Sequence, residues 1–368
     1  MMTTAEERAL LEQFELRQRA HASRAAGDEQ SDGTPNTERE LGWNETNIEK
    51  TAERPNRTPN EKLPPVTVAV VRDALDKLGI SVRFNLMTGR MEIAGMPEQF
   101  SLENAANTLP TLLVDYLKVQ GCRCSRVSMG DYLNMIADEN RYNPVADMLN
   151  SIVWDEKDRI ERICEIMGIE PYTDAHTYLL KWMIQCVALA LNDEANPIGG
   201  DGVLVLQGDQ GIGKTRVISV LSIDPKWFCE GATVNVDDKD SIMRATAAWI
   251  TELGELDFTF KKEQAALKAF LTASVDQYRP PYGQSIVTRP RRTSFAATVN
   301  PYDFLRDDTG SRRYWVIHIT AIDLDALHSL TREWLEQLWA QIYKFYQVNP
   351  SGFRLTKAER ATLAERNR

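Results

Sequence analysis

The sequence predicts an α/β fold in which a phosphate-binding loop joins a buried parallel strand to a helix. An apolar run at residues 203–206 precedes the loop, as expected of a strand buried on both faces, and residues 216–221 can open a helix after it. Apolar runs at 246–251 and 295–299 each lead into a polar side chain and predict further strands of the same sheet. The loop fits the pattern G-x-x-x-x-G-K-[ST]. Its residues are Gly208, Asp209, Gln210, Gly211, Ile212, Gly213, Lys214 and Thr215.

The chemistry of this loop favours binding of a nucleoside triphosphate, taken here as ATP. Backbone N–H groups of such a loop, with the N-terminus of the following helix, hold phosphate groups. Lys214 would reach the β- and γ-phosphates, and the Thr215 hydroxyl would ligate Mg²⁺. Arg216 follows directly and is included in the predicted nucleotide site. The alternative, a chance glycine-rich turn, does not account for the strand before the loop and the helix after it.

Composition and charge limit the classes of protein to consider. The 368 residues are 43% hydrophobic, which is enough for a substantial core in two or three domains. A net charge of −10 argues against coating nucleic acid by overall charge but permits a local basic strip. The five cysteines lack zinc-type pairs and are interpreted as reduced, which fits a reducing cytosol. Neither a signal peptide nor a run of 18 uncharged apolar residues is found, so no membrane association is expected.

The chain divides into four predicted segments. Residues 1–62 are polar, with prolines near their end, and are expected to form a disordered, charged leader. Residues 63–196 predict a mainly α-helical N-terminal or collar domain, 197–345 the ATPase domain, and 346–368 a C-terminal tail. A hairpin is expected around residues 88–89. Helical periodicity is found at residues 66–78, 102–120, 129–139, 144–151, 159–167 and 175–191.

Two glutamates are candidates for the catalytic acid. Glu252 ends the predicted strand at 246–251, and Glu255 follows three residues later. Hydrolysis needs one group to organise Mg²⁺ and another to position the attacking water. Its place at the strand end favours Glu252 slightly, and the choice between the two stays open. The alternative is that one of them is a surface acid or caps the next helix.

Polar residues after two later segments complete the predicted catalytic site. Asn300 follows a predicted strand and would orient water near the γ-phosphate, because the C-terminal ends of parallel strands face the ligand. Its alternative role is to cap the next turn. Arg312 and Arg313 follow a Gly-Ser turn, and a planar guanidinium suits a γ-phosphate. The alternative for them is an ion pair with one of the preceding aspartates.

A basic, aromatic segment predicts contact with single-stranded DNA. Residues 277–302 contain no acid, and residues 283–285 suit the tip of a hairpin whose return arm is 286–293. Arginines bind phosphates, and aromatic rings stack on bases. The alternative is a solvated hairpin whose arginines pair with a neighbouring subunit. The predicted DNA-binding residues are Arg279, Tyr282, Gln284, Arg289, Arg291 and Arg292.

Taken together, these motifs resemble the superfamily 3 helicases, and most of all the virulence-associated protein E family of prophages and related mobile elements. Order and spacing agree over about residues 140–345. Upstream, Tyr142-Asn143-Pro144, Trp154-Asp155 and Arg159 are also similar to that family. Besides the loop, the resemblance is carried by residues 249–256, 268–271, 276–283, 298–300 and 309–313.

The resemblance implies an AAA+-like ATPase core and a homo-oligomeric ring, usually a hexamer, with ATP bound between subunits. Arg312 or Arg313 would then be the arginine finger of the next subunit, and the hairpin between Tyr282 and Arg292 would line the central channel. It also implies 3′ to 5′ movement on DNA during replication of a phage, prophage or plasmid, with a separate primase or polymerase as partner. Two departures are that residues 1–200 show no primase carboxylate pattern and that the acids are not adjacent. An ATP-driven loader or regulator of a replication factor, without unwinding, is the alternative function.

Overall fold

The computed structural model describes residues 65–254, 261–278, 286–300 and 312–366. The predicted leader, residues 1–62, lies outside these ranges. So do Glu255 and three of the predicted DNA-binding residues, Arg279, Tyr282 and Gln284.

The region before the phosphate-binding loop is mainly helical, and the six predicted helices and the hairpin are confirmed. Helix α1 ends at Gly79, whose φ of 67° is the left-handed conformation that glycine adopts without strain. Helix α4 begins after Asn143, whose side chain accepts from the N–H groups of Val145 and Ala146. The elements in order are α1 (Val68–Leu78), β1 (Ser81–Asn85), β2 (Arg90–Ala94), α2 (Ala105–Val119), α3 (Arg126–Glu139), β3 (Arg141–Tyr142), α4 (Pro144–Ser151), α5 (Ile160–Ile166) and α6 (Asp174–Ala190).

A five-stranded parallel sheet forms the second half of the fold, in the order β10-β4-β9-β6-β5. Since all its strands run in the same direction, their C-terminal ends meet at one edge. The described elements here are β4 (Val203–Gln207), α7 (Lys214–Leu221), β5 (Phe228–Ala232), α8 (Lys239–Ala245), β6 (Ile250–Leu253), α9 (Lys261–Leu271), β7 (Val275–Tyr278), β8 (Val287–Pro290), β9 (Ser294–Val299) and β10 (Tyr314–His318).

Strand β6 differs from the prediction in where it begins. The expected strand covered residues 246–251, but β6 starts at Ile250. Thr246 instead ends helix α8 and donates its hydroxyl to the Ile242 carbonyl at 2.9 Å. Apolar character at 246–249 therefore reflects a buried turn, and Glu252 lies inside the strand instead of after it.

Helix α6 explains why the region before the loop and the sheet share one hydrophobic core. Eleven of its residues are buried, and it packs on β4, β9 and β10. The indole of Trp182 donates to the Phe295 carbonyl in β9 at 2.8 Å, and Trp249 donates to the Cys186 carbonyl at 2.9 Å. A helix apolar on most sides is the type of element that burial between layers requires.

The C-terminal segment also packs into this core. Helices α10 (Leu324–His328), α11 (Arg332–Val348) and α12 (Lys357–Arg366) follow the sheet. Leu363 of α12 is fully buried, and Arg360 pairs with Asp201 just before β4. The predicted tail, residues 346–368, thus includes the end of one helix and another complete helix. No helix within the described ranges combines the length and the hydropathy that a membrane span needs.

Candidate nucleotide-binding site

The predicted phosphate-binding loop leaves the C-terminal end of β4 and enters α7, as expected from the sequence. Gly213 has a φ of 98°, which a side chain would strain. A Cβ atom added to Gly213 would lie 2.5 Å from the Leu324 side chain, and one added to Gly208 would lie 2.2 Å from the Ile319 carbonyl oxygen. Glycine is therefore required at both positions, by backbone conformation at one and by close packing at the other.

A cavity of about 590 Å³ opens over this loop. It contains most of the predicted nucleotide site and also Asn300, which confirms the expected position of that residue at the end of β9. The lining residues are Gln210, Gly211, Gly213, Lys214, Thr215, Arg216, Ser219, Glu230, Thr298 and Asn300.

Lys214 folds onto the backbone of its own loop. Its Nζ donates to the carbonyl oxygens of Gly208 at 2.8 Å and Asp209 at 2.6 Å, and the residue is only 7% exposed. Burial lowers the pKa of Lys214, while the charges of Asp209 and Glu252 oppose that shift. A phosphate would replace the two carbonyls as an acceptor and would favour the charged amine.

Glu252 links the loop to the neighbouring strands. Its Oε1 accepts hydrogen bonds from the Thr215 hydroxyl at 2.6 Å and the Thr298 hydroxyl at 2.8 Å, and the residue is 3% exposed. Strand register explains the second bond, because β6 pairs with β9 and Glu252 lies opposite Ala296, two residues before Thr298.

These oxygens fit a magnesium ion that is shared with a nucleotide. Mg²⁺ prefers hard oxygen ligands and in phosphate sites is held by one or two protein groups plus phosphate oxygens. Thr215 and Glu252 offer a hydroxyl and a carboxylate that lie within hydrogen-bonding distance of each other. Among the residues that the structure describes, no group of three or more His, Cys, Asp and Glu side chains is placed to hold a metal unaided.

Glu230 is a cavity residue that the sequence patterns did not predict. It is an exposed residue of β5, the strand next to β6 at the end of the sheet. Its strand is five residues long and interrupted by a glycine, so no clear alternation marked it. Thr298 was predicted only as part of a family motif, although its hydroxyl contacts the catalytic candidate Glu252.

Arg312 and Arg313 do not line the cavity of their own chain. They lie just before β10, and the Arg313 carbonyl accepts from the N–H of Val203 at the start of β4. The loop lies at the other end of β4, about 16 Å away at the rise of roughly 3.3 Å per strand residue. The fold therefore does not bring either arginine to the cavity of its own chain.

The predicted DNA-binding role of Arg291 conflicts with its position. It is 1% exposed, and its Nε donates to Asp276 Oδ2 at 2.7 Å. Its guanidinium carbon also lies 4.4 Å from the ring centre of Phe270 and 5.2 Å from that of Phe295. The acid-free window begins at residue 277, so it excluded the carboxylate that neutralises this arginine. A buried guanidinium paired with Asp276 does not fit the predicted contact with DNA, which corrects that assignment.

Arg289 and Arg292 are buried as well, against the turn between β1 and β2. Arg289 donates to the carbonyls of Leu86 at 2.7 Å and Met87 at 2.9 Å. Arg292 donates to the same Leu86 carbonyl at 3.4 Å, and burial together with the charge of Arg289 lowers its pKa to about 10. The β7-β8 hairpin is confirmed as an antiparallel pair, but these two arginines anchor it to the N-terminal region, which corrects their assignment as DNA contacts.

Comparison with known proteins identifies the region that contains this site. A sequence model described as the virulence-associated protein E-like domain matches residues 149–368. Among solved structures, the chain is similar to the A-form apo structure of the NrS-1 C-terminal region at 12% identity, with a TM-score of 0.49, covering 81% of this chain and 74% of that one. A second A-form apo structure of that region aligns at 13% identity and a TM-score of 0.45, covering 81% and 75%. No protein of curated function matches the chain.

Proposed function

Because the chain belongs to the virulence-associated protein E-like family, we propose that it is an ATP hydrolase that acts in the replication of a phage, prophage or plasmid. The observation that carries this proposal is that Lys214 and Thr215 line one cavity and that the buried carboxylate of Glu252 accepts a hydrogen bond from the Thr215 hydroxyl at 2.6 Å. The three side chains have different proposed roles. Lys214 is a cation that would bind phosphate, Thr215 has a hydroxyl that would bind the metal, and Glu252 has a carboxylate that would bind the metal or a water molecule. The hydrogen bond between Thr215 and Glu252 joins the loop to strand β6 in one site.

The proposed reaction is attack of water on the γ-phosphate of ATP, with release of ADP and inorganic phosphate. Lys214 would leave its loop carbonyls to bind the β- and γ-phosphates, while Thr215 and Glu252 would hold Mg²⁺. When bound, Mg²⁺ neutralises charge that develops on the phosphate oxygens. Asn300 faces the cavity at the end of β9 and would orient the attacking water. Glu255 or Glu230 would then be the carboxylate that polarises it.

An AAA+-like core and a ring complete the proposal. The strand–loop–helix unit and the five parallel strands support a P-loop ATPase core. The distance between Arg312 or Arg313 and the loop of the same chain supports sites that are completed by a neighbouring copy. We therefore propose a homo-oligomeric ring, with six subunits as the expected size, in which one of these arginines is the finger.

For the role of ATP hydrolysis, the first candidate is translocation along single-stranded DNA with strand separation, in the 3′ to 5′ direction. It depends on the resemblance to superfamily 3 helicases and on Arg279, Tyr282 and Gln284 in the hairpin segment. The second candidate is an ATP-driven loader or regulator of a separate primase or polymerase. Burial of Arg289, Arg291 and Arg292 favours this second candidate, since it removes half of the predicted DNA contacts.

ATP hydrolysis measured with and without single-stranded DNA, together with a strand-displacement assay, separates the two roles. A translocase should hydrolyse ATP faster on DNA and displace a strand. The double variant Arg279→Ala/Tyr282→Ala should lose this stimulation. The slope of the logarithm of its DNA-binding constant against the logarithm of salt concentration should become shallower by roughly 0.7, because one phosphate contact is lost. Arg90→Ala, an exposed arginine of β2, is the matched control. If the protein hydrolyses ATP but does not bind DNA, and DNA does not stimulate hydrolysis, the loader or regulator is favoured. If the protein does not hydrolyse ATP at all, both roles are overturned.

A further inference from the structure

The β7-β8 hairpin is fixed to the rest of the fold at two places. Within the described ranges its strands pair only with each other, in a sheet separate from the five parallel strands. An isolated pair of strands is marginally stable, so side-chain contacts must hold it in position. At the base of the hairpin, Arg291 pairs with Asp276 and donates to the Phe270 carbonyl of α9 at 3.1 Å. Nearer the segment that links the strands, Arg289 contacts the turn between β1 and β2.

We propose that the β1-β2 turn positions the hairpin for its contact with single-stranded DNA, with Gly89 and Arg289 as the positioning residues. The inference rests on the first candidate of the proposed function, translocation on DNA, because residues 279–285 link the strands and include the predicted DNA contacts. Arg289 donates from Nη1 to the hydroxyl of Tyr278, the last residue of β7, at 3.1 Å. Since the linking segment starts directly after Tyr278, a contact that fixes this residue limits where the segment can reach.

The turn uses its own N–H groups internally and leaves its carbonyl groups free to accept from outside. The side-chain oxygen of Asn85 accepts from the N–H groups of Met87 at 2.8 Å and Thr88 at 3.3 Å. The backbone carbonyl of Asn85 accepts from the N–H of Gly89 at 2.8 Å. The fully buried side chain of Met87 anchors the turn in the core. The carbonyls of Leu86 and Met87 therefore need acceptor contacts from elsewhere.

Arg289 and Arg292 supply those contacts without a carboxylate. Nη2 of Arg289 donates to the carbonyls of Leu86 and Met87, and Arg292 donates to the Leu86 carbonyl. Among the described residues, no carboxylate lies within ion-pair distance of either guanidinium, in contrast to Arg291 with Asp276. Both residues are less exposed than a tenth, at 8% and 7%. A buried cation that has only neutral acceptors depends on where those acceptors lie, so the hold on the hairpin depends on the conformation of the turn.

Gly89 offers a way to release this hold without changing the hairpin. A Cβ atom added to Gly89 would overlap Nη1 of Arg289 and would lie 3.0 Å from its Cζ. The end of a flexible side chain can move, so alanine at position 89 should displace the guanidinium while the backbone stays folded. Gly79 has the same φ of 67°, but a Cβ atom added there would have no described atom within 4 Å. Gly79→Ala is therefore the matched control, with the same backbone cost and no contact.

The first measurement is hydrogen exchange of the full chain without nucleotide or DNA. Gly89→Ala should speed exchange of the amides in β7 and β8 by roughly tenfold, the effect of losing about one hydrogen bond to a charged group. Exchange in the five-stranded sheet should stay as in the wild type, because Arg291 and Asp276 still hold the base of the hairpin. Gly79→Ala should leave exchange in β7 and β8 unchanged.

The second measurement is the concentration of single-stranded DNA that gives half-maximal stimulation of ATP hydrolysis. Gly89→Ala should raise this concentration by roughly tenfold, the size expected when one base loses its stacking partner. Turnover without DNA should match the wild type, because no residue of the nucleotide site is changed. A merely structural role would lower turnover with and without DNA alike. Gly79→Ala should behave like the wild type in both respects.

A second variant tests whether Gly89 acts through Arg289. Arg289→Met removes the guanidinium and keeps most of the aliphatic chain, and it should raise the half-maximal DNA concentration as Gly89→Ala does. The double variant Gly89→Ala/Arg289→Met should be no worse than Arg289→Met alone, because both changes break the same contact. Additive effects would show that Gly89 acts through other contacts and would overturn the assignment of the pair.

The outcomes separate this inference from the proposed function. If Gly89→Ala matches Gly79→Ala in both measurements, or speeds exchange without changing the DNA requirement, the turn does not position the hairpin for DNA, although the translocase proposal stands. If DNA does not stimulate ATP hydrolysis by the wild-type protein, the translocase proposal fails and the inference fails with it. If Gly89→Ala does not fold, Arg289→Met takes its place in both measurements, with the same result expected.

Discussion

The hydroxyl of Thr215 donates a 2.6 Å hydrogen bond to the carboxylate of Glu252, across 37 positions of sequence. Thr215 lies in the first turn of α7 and Glu252 in the middle of β6, so the bond depends on the packing of α7 over the sheet. It places the hydroxyl that is predicted to bind Mg²⁺ in contact with a buried carboxylate. The pair is therefore the part of the candidate site whose chemistry is most directly testable.

Lys214→Ala should stop ATP hydrolysis. The variant removes the cation that would stabilise the γ-phosphate but leaves the glycine-rich backbone unchanged, and loss of one such donor lowers turnover by roughly 10²- to 10³-fold. Phosphate release from ATP is the measurement, with circular dichroism as the check on folding. Lys226→Ala, at an exposed lysine, is the control. Turnover near the wild-type rate in Lys214→Ala would remove the phosphate-binding assignment.

Glu252→Gln and Glu255→Gln should have different effects. Glutamine at 252 can still accept from Thr215 and Thr298, so the fold should persist while Mg²⁺-dependent ATP binding weakens. Glutamine at 255 should leave Mg²⁺-ATP binding intact and slow hydrolysis by roughly 10²- to 10⁴-fold, as expected for loss of a general base. Titration of ATP with and without Mg²⁺, followed by single-turnover hydrolysis, distinguishes them. If Glu255→Gln weakens Mg²⁺-ATP binding and Glu252→Gln slows hydrolysis instead, the two glutamates exchange their proposed roles. If both variants hydrolyse ATP at the wild-type rate, Glu230 becomes the candidate for the general base.

Arg312→Ala and Arg313→Ala should differ from each other, because only one guanidinium can reach the neighbouring γ-phosphate. The finger variant should bind ATP but hydrolyse it roughly 10³- to 10⁵-fold more slowly. Mixing it with Lys214→Ala protein should restore part of the activity, since some interfaces then combine an intact loop with an intact finger. The mixing assay is run against each variant alone. A fully active monomer at low concentration would contradict this prediction.

Arg291→Ala should destabilise the protein strongly. The change leaves Asp276 buried without its partner, since both side chains are at most 3% exposed, and breaking such a pair costs about 3–5 kcal/mol. The double variant Asp276→Leu/Arg291→Met should recover much of the loss, because it removes both charges. Urea unfolding gives the free energies, with Arg141→Ala as an exposed control. A stable Arg291→Ala protein with weakened DNA binding would reinstate the DNA-contact hypothesis.

Asp155→Asn should lower stability at neutral pH but not in acid. Two hydrogen bonds from Arg159, at 2.6 and 2.7 Å, lower the pKa of Asp155 from 3.8 to about 2. Because the folded-state pKa is depressed, this stabilisation is fully present above about pH 4 and is lost as the pH falls towards 2. The difference in unfolding midpoint between variant and wild type should therefore shrink over that range.

The measurement is thermal or urea unfolding at several pH values between 7 and 2. Asp115→Asn changes an exposed aspartate for which the described residues include no ion-pair partner, and it serves as the control. A difference between Asp155→Asn and wild type that is constant down to pH 2 would show that the pairing with Arg159 does not contribute through the charge of Asp155.

Local patterns were sufficient to predict the loop, most helices and three strands of the parallel sheet. The loop motif between an apolar run and a helix start located Lys214 and Thr215, because the residues that bind phosphate are neighbours in sequence. Helical periodicity and caps such as Asn143 act over three or four residues, and they predicted α1 to α6. The family resemblance also followed from motifs in their order along the chain.

Contacts between distant segments were needed for the rest. An arginine on a strand can face either solvent or the core, and its own sequence window does not show which. Asp276 neutralises Arg291 because β7 and β8 pair with each other. The Leu86 carbonyl accepts from Arg289 because this pair of strands packs against the turn between β1 and β2. Glu230 reaches the cavity because β5 pairs with β6. Such pairings depend on burial summed over the whole core, so a short stretch of sequence does not contain them.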